Sequence, residues 1–277
     1  MTGDSSLWAL PYDLCPTSYV LRHGVCNLRA TAAIIPLMAW WESWFGEEYL
    51  ELYPHRDLAS ARREVAFALE KLGSDPTPLL DLCCGSGRHA LRFAERGAVP
   101  IGLDYSAPLL ELAHARNLQL PLVRGDMRAL PFADASFRSI VNFFTSFGYF
   151  LAEEDNFLVV AEMERILAPG GRVLCDTFGL EHALARLVPE ESRASAGREY
   201  QIRRWWNADT RRIEKQIEVR RGASTEMFRE SVRAYTAEEL TRMFERAGLR
   251  IESTWGDFHG NPVGPDCPRL IVLARKP

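Results

Sequence analysis

The sequence predicts an α/β protein: a mostly parallel sheet of seven strands flanked by helices, with an antiparallel β insertion before a C-terminal helix and hairpin. Three observations predict this fold. From Leu79 to Phe178, short apolar runs alternate with amphipathic stretches. That rhythm is typical of parallel strands joined by helical crossovers. From 179 to 235 longer runs are separated by polar turns, and a capped helix with two more strands follows.

The elements of the main sheet follow one another closely. Strands are predicted at Leu79–Cys83, Val99–Leu103, Leu120–Arg124, Ser139–Phe144 and Arg172–Phe178, with helices at Arg88–Arg96, Pro108–Asn117 and Asp155–Leu167. The insertion strands are Glu199–Trp206, Arg212–Arg220 and Met227–Tyr235; Leu249–Trp255 and Leu270–Ala274 form the hairpin. Between them, Thr236 opens a capping box and Gly248 ends the helix.

Four regions are predicted along the chain. Residues 1–37 lack any sustained period and are interpreted as a poorly ordered or mis-called extension, whereas 38–78 form a helical cap. Within the cap, Trp40–Tyr53 is densely amphipathic and Leu58–Leu72 repeats apolar residues at helical spacing. Residues 79–178 and 236–277 form the cofactor-binding domain, and 179–235 form a β insertion that covers the substrate.

Composition narrows the function. The 277 residues carry a net charge of −4, so no basic excess points to nucleic acid. The apolar run Ala30–Trp41 is shorter than the roughly 20 residues that span a membrane. Six cysteines include no CxxC pair, which predicts neither a metal site nor disulfides and favours a reducing, cytoplasmic location. Oligomeric state stays open.

A glycine-rich turn follows the first predicted strand. In Leu-Leu-Asp-Leu-Cys-Cys-Gly-Ser-Gly-Arg-His, residues 79–89, the strand ends near Asp81, and Gly85 and Gly87 bend the chain. Small residues let a ligand approach the backbone closely, and the next helix begins with unpaired N–H donors. Because many nucleotide cofactors use such a loop, the turn indicates a cofactor site without naming the cofactor.

Two further acids follow the next two strands. Asp104 ends the second strand, where a carboxylate can accept both hydroxyls of a ribose. Asp126 follows the third strand, where it can accept an adenine amino group while Met127 lies against the ring. Because parallel strands end at one edge of a sheet, we expect Asp81, Asp104 and Asp126 to converge there.

These segments resemble the class I S-adenosylmethionine-dependent methyltransferases, and a bacterial small-molecule subgroup in particular. The resemblance is carried by residues 80–90, 102–106, 124–132 and 166–174, in the family's order, with 52–57 and 143–150 similar to the subgroup. It implies a Rossmann-like sheet, S-adenosylmethionine as the cofactor, and methyl transfer. The cofactor-binding residues that it implies are Asp81, Cys83, Gly85, Gly87, Asp104, Tyr105, Asp126, Met127 and Phe144.

The sequence departs from the family at Cys83, where the first loop glycine is more usual. A cysteine backbone does not freely adopt positive φ. The substrate pocket is expected to draw on Tyr53, Arg56, Phe147, Trp205 and Trp206. If the acceptor needs a general base, His55, Tyr149 and His259 are the candidates.

The acceptor is predicted to be a small molecule methylated on oxygen or nitrogen. Other functions remain open: an RNA or protein methyltransferase, a nicotinamide-dependent oxidoreductase, or a non-catalytic cofactor binder. The nicotinamide alternative explains the glycine turn and Asp104, but it does not explain the Asp126-Met127 pair or the Pro-Gly-Gly turn at 169–171.

Overall fold

The computed structural model describes residues 39–53, 58–98, 100–116 and 120–277. The predicted extension at 1–37 lies outside these ranges, and so do His55 and Arg56. The helices are α1 (Trp40–Trp44), α2 (Glu47–Leu52), α3 (Leu58–Leu72), α4 (Arg88–Ala94), α5 (Ala107–Ala115), α6 (Glu153–Ile166), α7 (Leu180–Ala185) and α8 (Ala237–Arg246). The strands are β1 (Leu79–Leu82), β2 (Ile101–Asp104), β3 (Leu122–Arg124), β4 (Phe137–Asn142), β5 (Leu167–Phe178), β6 (Glu190–Ser195), β7 (Arg198–Asn207), β8 (Arg212–Arg221), β9 (Ser224–Arg233), β10 (Arg250–Trp255) and β11 (Arg269–Arg275).

The main sheet has seven strands in the order β10-β11-β5-β4-β1-β2-β3. The five strands from β5 to β3 run parallel, and β11 pairs antiparallel with both β5 and β10. This topology confirms the predicted fold class. The loops after β1, β2, β3 and β4 therefore meet at one edge, where open α/β sheets bind ligands.

Helices cover both faces of this sheet because its strands are buried on both sides. On β4, Ile140 packs with Val159 of α6 and Phe244 of α8. Its neighbour Val141 points the other way and packs with Val65 of α3. Alternate side chains of one strand thus belong to two cores, which fixes the register of the sheet.

Strand β5 begins earlier than predicted, at Leu167 rather than Arg172. Its pairing with β4 jumps from Phe137 opposite Leu167 to Ser139 opposite Arg172, so the Pro-Gly-Gly segment forms a bulge. A Cβ on Gly171 would lie 2.8 Å from the Ala168 carbonyl oxygen. Close backbone approach therefore explains a glycine at this position.

The insertion forms a second, antiparallel sheet of four strands, β6 to β9. Three of them were predicted, and the helix α7 was not. Strand β6 was missed because Glu190–Ser195 is polar and mostly exposed. The predicted amphipathic stretch Trp40–Tyr53 is two short helices that break at 45–46, and Trp44 packs on Tyr200 and Ile217 of the sheet. No helix in the described ranges is both long and apolar enough to cross a membrane.

Candidate functional site

A cavity lies at the edge where β1, β2, β3 and β4 end. It encloses about 1090 Å³ when the open solvent at its mouth is counted. Its floor, called here the cofactor rim, consists of the loops 83–87, 104–106 and 125–127. Its cover, called here the aromatic roof, consists of Trp41, Phe45, Tyr49, Tyr53, Tyr149 and Phe150.

The glycine turn bends the chain sharply from β1 into α4. Gly85 and Gly87 have positive φ angles of 55° and 75°. Cys83 also has a positive φ, 62°, so the conformation that the sequence appeared to disfavour is adopted there. An L-residue in this region costs about 1–2 kcal/mol. The departure from the family's glycine therefore keeps the loop's shape at the expense of some backbone strain.

Asp104 joins two loops of the rim. One carboxylate oxygen accepts the Gly85 N–H and the other accepts the Ser106 N–H, both at 2.8 Å. Burial raises the pKa of Asp104 above its ordinary value, while these amides oppose the rise. Each oxygen keeps a lone pair for a hydroxyl donor in the cavity. The carboxylate is thus oriented before any ligand arrives.

Asp126, Met127 and Tyr105 also line the cavity. The Arg128 guanidinium holds Asp126, with Nη2 2.7 Å from Oδ2. A ligand amino group must therefore share the Asp126 carboxylate with that arginine. Tyr105 donates a 2.9 Å hydrogen bond to Glu42 of α1, which links the rim to the cap helices.

Asp81 lies beneath the glycine turn and is 1% exposed. Its Oδ2 atom has no hydrogen-bond partner among the residues that the structure describes. Burial raises the pKa of Asp81 to about 7. Buried polar atoms are nearly always paired, but Asp81 itself does not line the cavity, so this unpartnered oxygen lies behind the cavity wall.

A histidine and a glutamate form a buried pair that the sequence analysis missed. His89 Nε2 lies 2.5 Å from Glu64 Oε2, and both side chains are almost fully buried. His89 and its neighbour Arg88 line the cavity. Burial lowers the pKa of His89 to about 4. Although burial alone would raise the pKa of Glu64, its hydrogen bond to His89 and the nearby Arg88 charge hold it low.

One sequence signal could have revealed this pair. Glu64 lies on the buried face of α3, within the stripe of Ala61, Val65 and Ala68. A charged residue on a buried stripe needs a partner.

Phe144 follows β4 and lies at the cavity with a φ of 63°. Its N–H donates a 2.8 Å hydrogen bond to the fully buried Asp176 of β5. Arg269 of β11 pairs with both oxygens of Asp176 at 2.6 Å. The Phe144 ring lies 4.6 Å from the Arg88 guanidinium and 5.3 Å from that of Arg269. Asp176 and Arg269 thus hold the strained loop after β4.

The aromatic roof is tied to the rim. The Phe45 and Tyr149 rings stack at 5.7 Å, and Trp40 meets Tyr149 edge-on at 4.9 Å. Ser106 of the rim donates a 2.5 Å hydrogen bond to the Phe45 carbonyl oxygen. The roof is therefore positioned directly over the rim.

The cap helices are also bound to the antiparallel sheet. Glu230 of β9 accepts hydrogen bonds from the Trp44 indole at 2.6 Å and from the Tyr53 hydroxyl at 2.8 Å. Lys215 of β8 contacts the same hydroxyl and lies 3.6 Å from Glu230. These polar contacts are buried or half-buried, so the cap and the sheet form one packed unit.

The other site residues predicted from the sequence do not all lie at the cavity. Tyr53 and Tyr149 line the cavity. Phe147 is buried behind it against Tyr235, with ring centroids 5.5 Å apart. Trp205 and Trp206 lie on β7 away from the cavity, and His259 is exposed in the loop after β10. Of the proposed bases, the described residues place Tyr149 alone at the cavity.

Fold and site together define an α/β domain with a nucleoside-sized floor and a roofed second compartment. Residues 79–171 match the family described as methyltransferase domain. The chain is 39% identical over 128 residues to the demethylmenaquinone methyltransferase of Thermus thermophilus, covering 44% of this chain and 55% of that enzyme. It is 27% identical over 218 residues to the dTDP-3-amino-3,4,6-trideoxy-alpha-D-glucopyranose N,N-dimethyltransferase of Streptomyces venezuelae, covering 76% and 89%.

A solved structure is similar over most of the chain. It is the S-adenosylmethionine-bound amino pentose methyltransferase of Micromonospora echinaspora, with a TM-score of 0.61, 24% identity, and coverage of 83% of this chain and 97% of that one. The chain spans about half the length of the demethylmenaquinone enzymes it matches. Residues 79–171 therefore match a methyltransferase domain, and the predicted resemblance to the S-adenosylmethionine-dependent methyltransferases is confirmed.

Proposed function

We propose that this protein transfers the methyl group of S-adenosylmethionine to a nitrogen or oxygen atom of a small molecule bound beneath the aromatic roof. The observation that carries the proposal is one continuous cavity that joins the cofactor rim to that roof. The insertion at 179–235 does not line the cavity itself but supports it from outside, because its sheet packs against the cap helices.

The residues of the rim fit this cofactor. Gly85 lines the cavity and suits the methionine part, with the unpartnered, buried oxygen of Asp81 beneath the same turn. Asp104 suits the ribose hydroxyls because its two oxygens are already oriented by backbone amides. Asp126 and Met127 suit the adenine edge and face.

When bound, S-adenosylmethionine supplies an electrophilic methyl carbon, which is displaced in line from its sulfur. The protein's task is to align the acceptor with that carbon and to exclude water. The aromatic roof excludes water and offers ring faces, which attract a sulfonium cation. Phe144 and Tyr149 are placed to form these contacts.

Three features support a small acceptor. Six aromatic side chains of the roof line the cavity, which is typical of sites for small molecules. The net charge of −4 offers no general attraction for phosphate backbones. The two relatives are named as methyltransferases of demethylmenaquinone and of a dTDP-linked amino sugar, which are small molecules.

The test uses methyl-labelled S-adenosylmethionine, the full chain, and a cell extract divided into small-molecule, RNA and protein fractions. Label is expected in the small-molecule fraction, and the Asp104→Asn variant should transfer far less. Label only in RNA or protein would refute the small acceptor. Absence of S-adenosylhomocysteine binding to the folded protein would refute the whole proposal.

A further inference from the structure

The Glu64–His89 pair lies at the cavity but has no part in the cofactor contacts described above. His89 is the second residue of α4 and is 4% exposed, and its ring stacks on Phe143 with centroids 4.4 Å apart. Glu64 reaches it from α3, a separate element. Two helices and the loop after β4 therefore fix one imidazole at the cavity wall.

The hydrogen bond defines which ring nitrogen carries the proton. Since Glu64 is ionised and accepts only, the neutral imidazole must donate Nε2–H to it. The other nitrogen, Nδ1, is then a bare acceptor. Within the described part of the chain Nδ1 has no hydrogen-bond partner and is not sealed inside the protein. It is the nitrogen left for a molecule in the cavity.

We propose that His89 is the general base of the methyl transfer and that Glu64 is the positioning residue that fixes its tautomer. This inference rests on the proposed function. It also defines the acceptor class: a nucleophile that carries a proton, such as an amine or a hydroxyl, rather than a thioether or an aromatic nitrogen without hydrogen.

The proton and the charges balance in this scheme. The nucleophile's lone pair forms the bond to the methyl carbon, and the electron pair of the broken carbon–sulfur bond stays on sulfur. The nucleophile's proton passes to Nδ1. The positive charge that the sulfonium loses thus reappears on the imidazolium, where the Glu64 carboxylate at 2.5 Å stabilises it.

The charged groups around the pair are consistent with this role. Arg88 lies beside His89 on α4, with Nη1 3.3 Å from Glu64. Further away, Arg269 of β11 is neutralised by Asp176 of β5. Burial lowers the pKa of His89 to about 4, so the imidazole is uncharged at neutral pH; the base assignment rests on its geometry, because a low pKa by itself weakens a general base.

The tautomer can be measured without knowing the acceptor. Nitrogen NMR of the full chain labelled with ¹⁵N-histidine, bound to S-adenosylhomocysteine, would be recorded from pH 6 to pH 9. His89→Gln assigns the signals by their loss. We expect the neutral Nε2–H form throughout, and a changed Nε2 shift in Glu64→Gln. A neutral Nδ1–H form, or an imidazolium at pH 7, would overturn the inference.

The second measurement is the single-turnover rate of labelled methyl transfer to the small-molecule extract fraction. His89→Ala is expected to lower this rate about 100-fold or more, with affinity for S-adenosylhomocysteine within about threefold of wild type. Added imidazole should restore part of the rate, and Glu64→Gln should change the pH profile. The exposed His114→Ala serves as the matched control.

The outcomes separate the two proposals. If wild type fails to bind S-adenosylhomocysteine, the proposed function fails. If wild type binds it and transfers label while His89→Ala keeps its full rate, the base assignment alone is wrong. An equal loss of affinity and rate, without rescue by imidazole, would show a structural role and overturn it too.

Discussion

The cofactor rim and the aromatic roof face the same cavity but are held by different interactions. In the rim, short side chains bond to nearby backbone, as Asp104 does with the amides of Gly85 and Ser106 at 2.8 Å. In the roof, long-range pairs join distant parts of the chain. Tyr53 of the roof donates to Glu230, 177 residues away.

This difference separates two tasks. The rim orients its groups through the backbone of the central sheet, so its geometry is set before a ligand binds. The roof depends on side chains from the cap and the insertion, which can change while the rim stays intact. Substitutions in the rim should therefore change cofactor affinity. Substitutions in the buried pairs that hold the roof should instead change the free energy of unfolding.

The largest expected effect concerns two buried aspartates, one at the rim and one behind the loop after β4. Burial raises the pKa of Asp81 from 3.8 to about 7, so folded protein binds that proton more tightly than unfolded protein and loses stability as pH rises to 7. This difference is worth about 4 kcal/mol. The free energy of unfolding of Asp81→Asn, relative to wild type, should therefore rise by about 4 kcal/mol between pH 4 and pH 8. Urea unfolding without ligand measures it.

Asp176→Asn is the matched variant. In the wild type, the Arg269 guanidinium lies 2.6 Å from the Asp176 carboxylate. The substitution removes that carboxylate charge. We expect lower stability at neutral pH, opposite in sign to Asp81→Asn. A gain for Asp81→Asn that does not vary with pH would contradict the account of Asp81.

The next effect is on cofactor affinity. Asp104→Asn removes the charged acceptor of the two ribose hydroxyls, each worth about 1.5 kcal/mol or more. Titration calorimetry should show about 100-fold weaker binding of S-adenosylhomocysteine. Asp75→Asn, an exposed aspartate that pairs with Arg138 at 3.0 Å, is the control and should bind normally. Equal affinities for both variants would disprove the placement of the ribose.

A variant of the roof should behave in the opposite way. Glu230→Gln keeps an oxygen for Trp44 and Tyr53 but removes the charge 3.6 Å from the buried Lys215. The free energy of unfolding should fall by about 2 kcal/mol, with affinity for S-adenosylhomocysteine within threefold. Glu226→Gln on the exposed face of β9 is the control. A large loss of affinity in Glu230→Gln would show that rim and roof are not separable.

The smallest effect is expected where rim and roof meet. Ser106 caps α5 by accepting the Leu109 N–H and donates to the Phe45 carbonyl oxygen. Ser106→Ala should lower the free energy of unfolding by about 1 kcal/mol and leave affinity nearly unchanged. Ser43→Ala, an exposed serine of α1, controls for the cap itself. Thermal and urea unfolding measure both, and no loss in Ser106→Ala would contradict the contact.

The sequence predicted the rim better than the roof, for a physical reason. Asp81, Asp104 and the glycines are separated by short strand–turn units, so local pattern places them at one edge of the sheet. The Glu64–His89 pair was missed because it joins two helices through tertiary packing. Trp205 and Trp206 were predicted for the pocket because aromatic faces suit a sulfonium and a flat acceptor, but the whole of β7 lies outside the cavity lining.

The double attachment of the cap has a consequence for how acceptor choice could diverge among relatives. The segment of α1 and α2 binds both the Ser106 loop and the antiparallel sheet. A change in the length or twist of β8 or β9 would therefore shift the aromatic roof. New acceptors can thus arise by remodelling a sheet that never touches the cofactor. Such changes would have to preserve the packing of Trp44, the fully buried side chain through which the cap contacts the sheet.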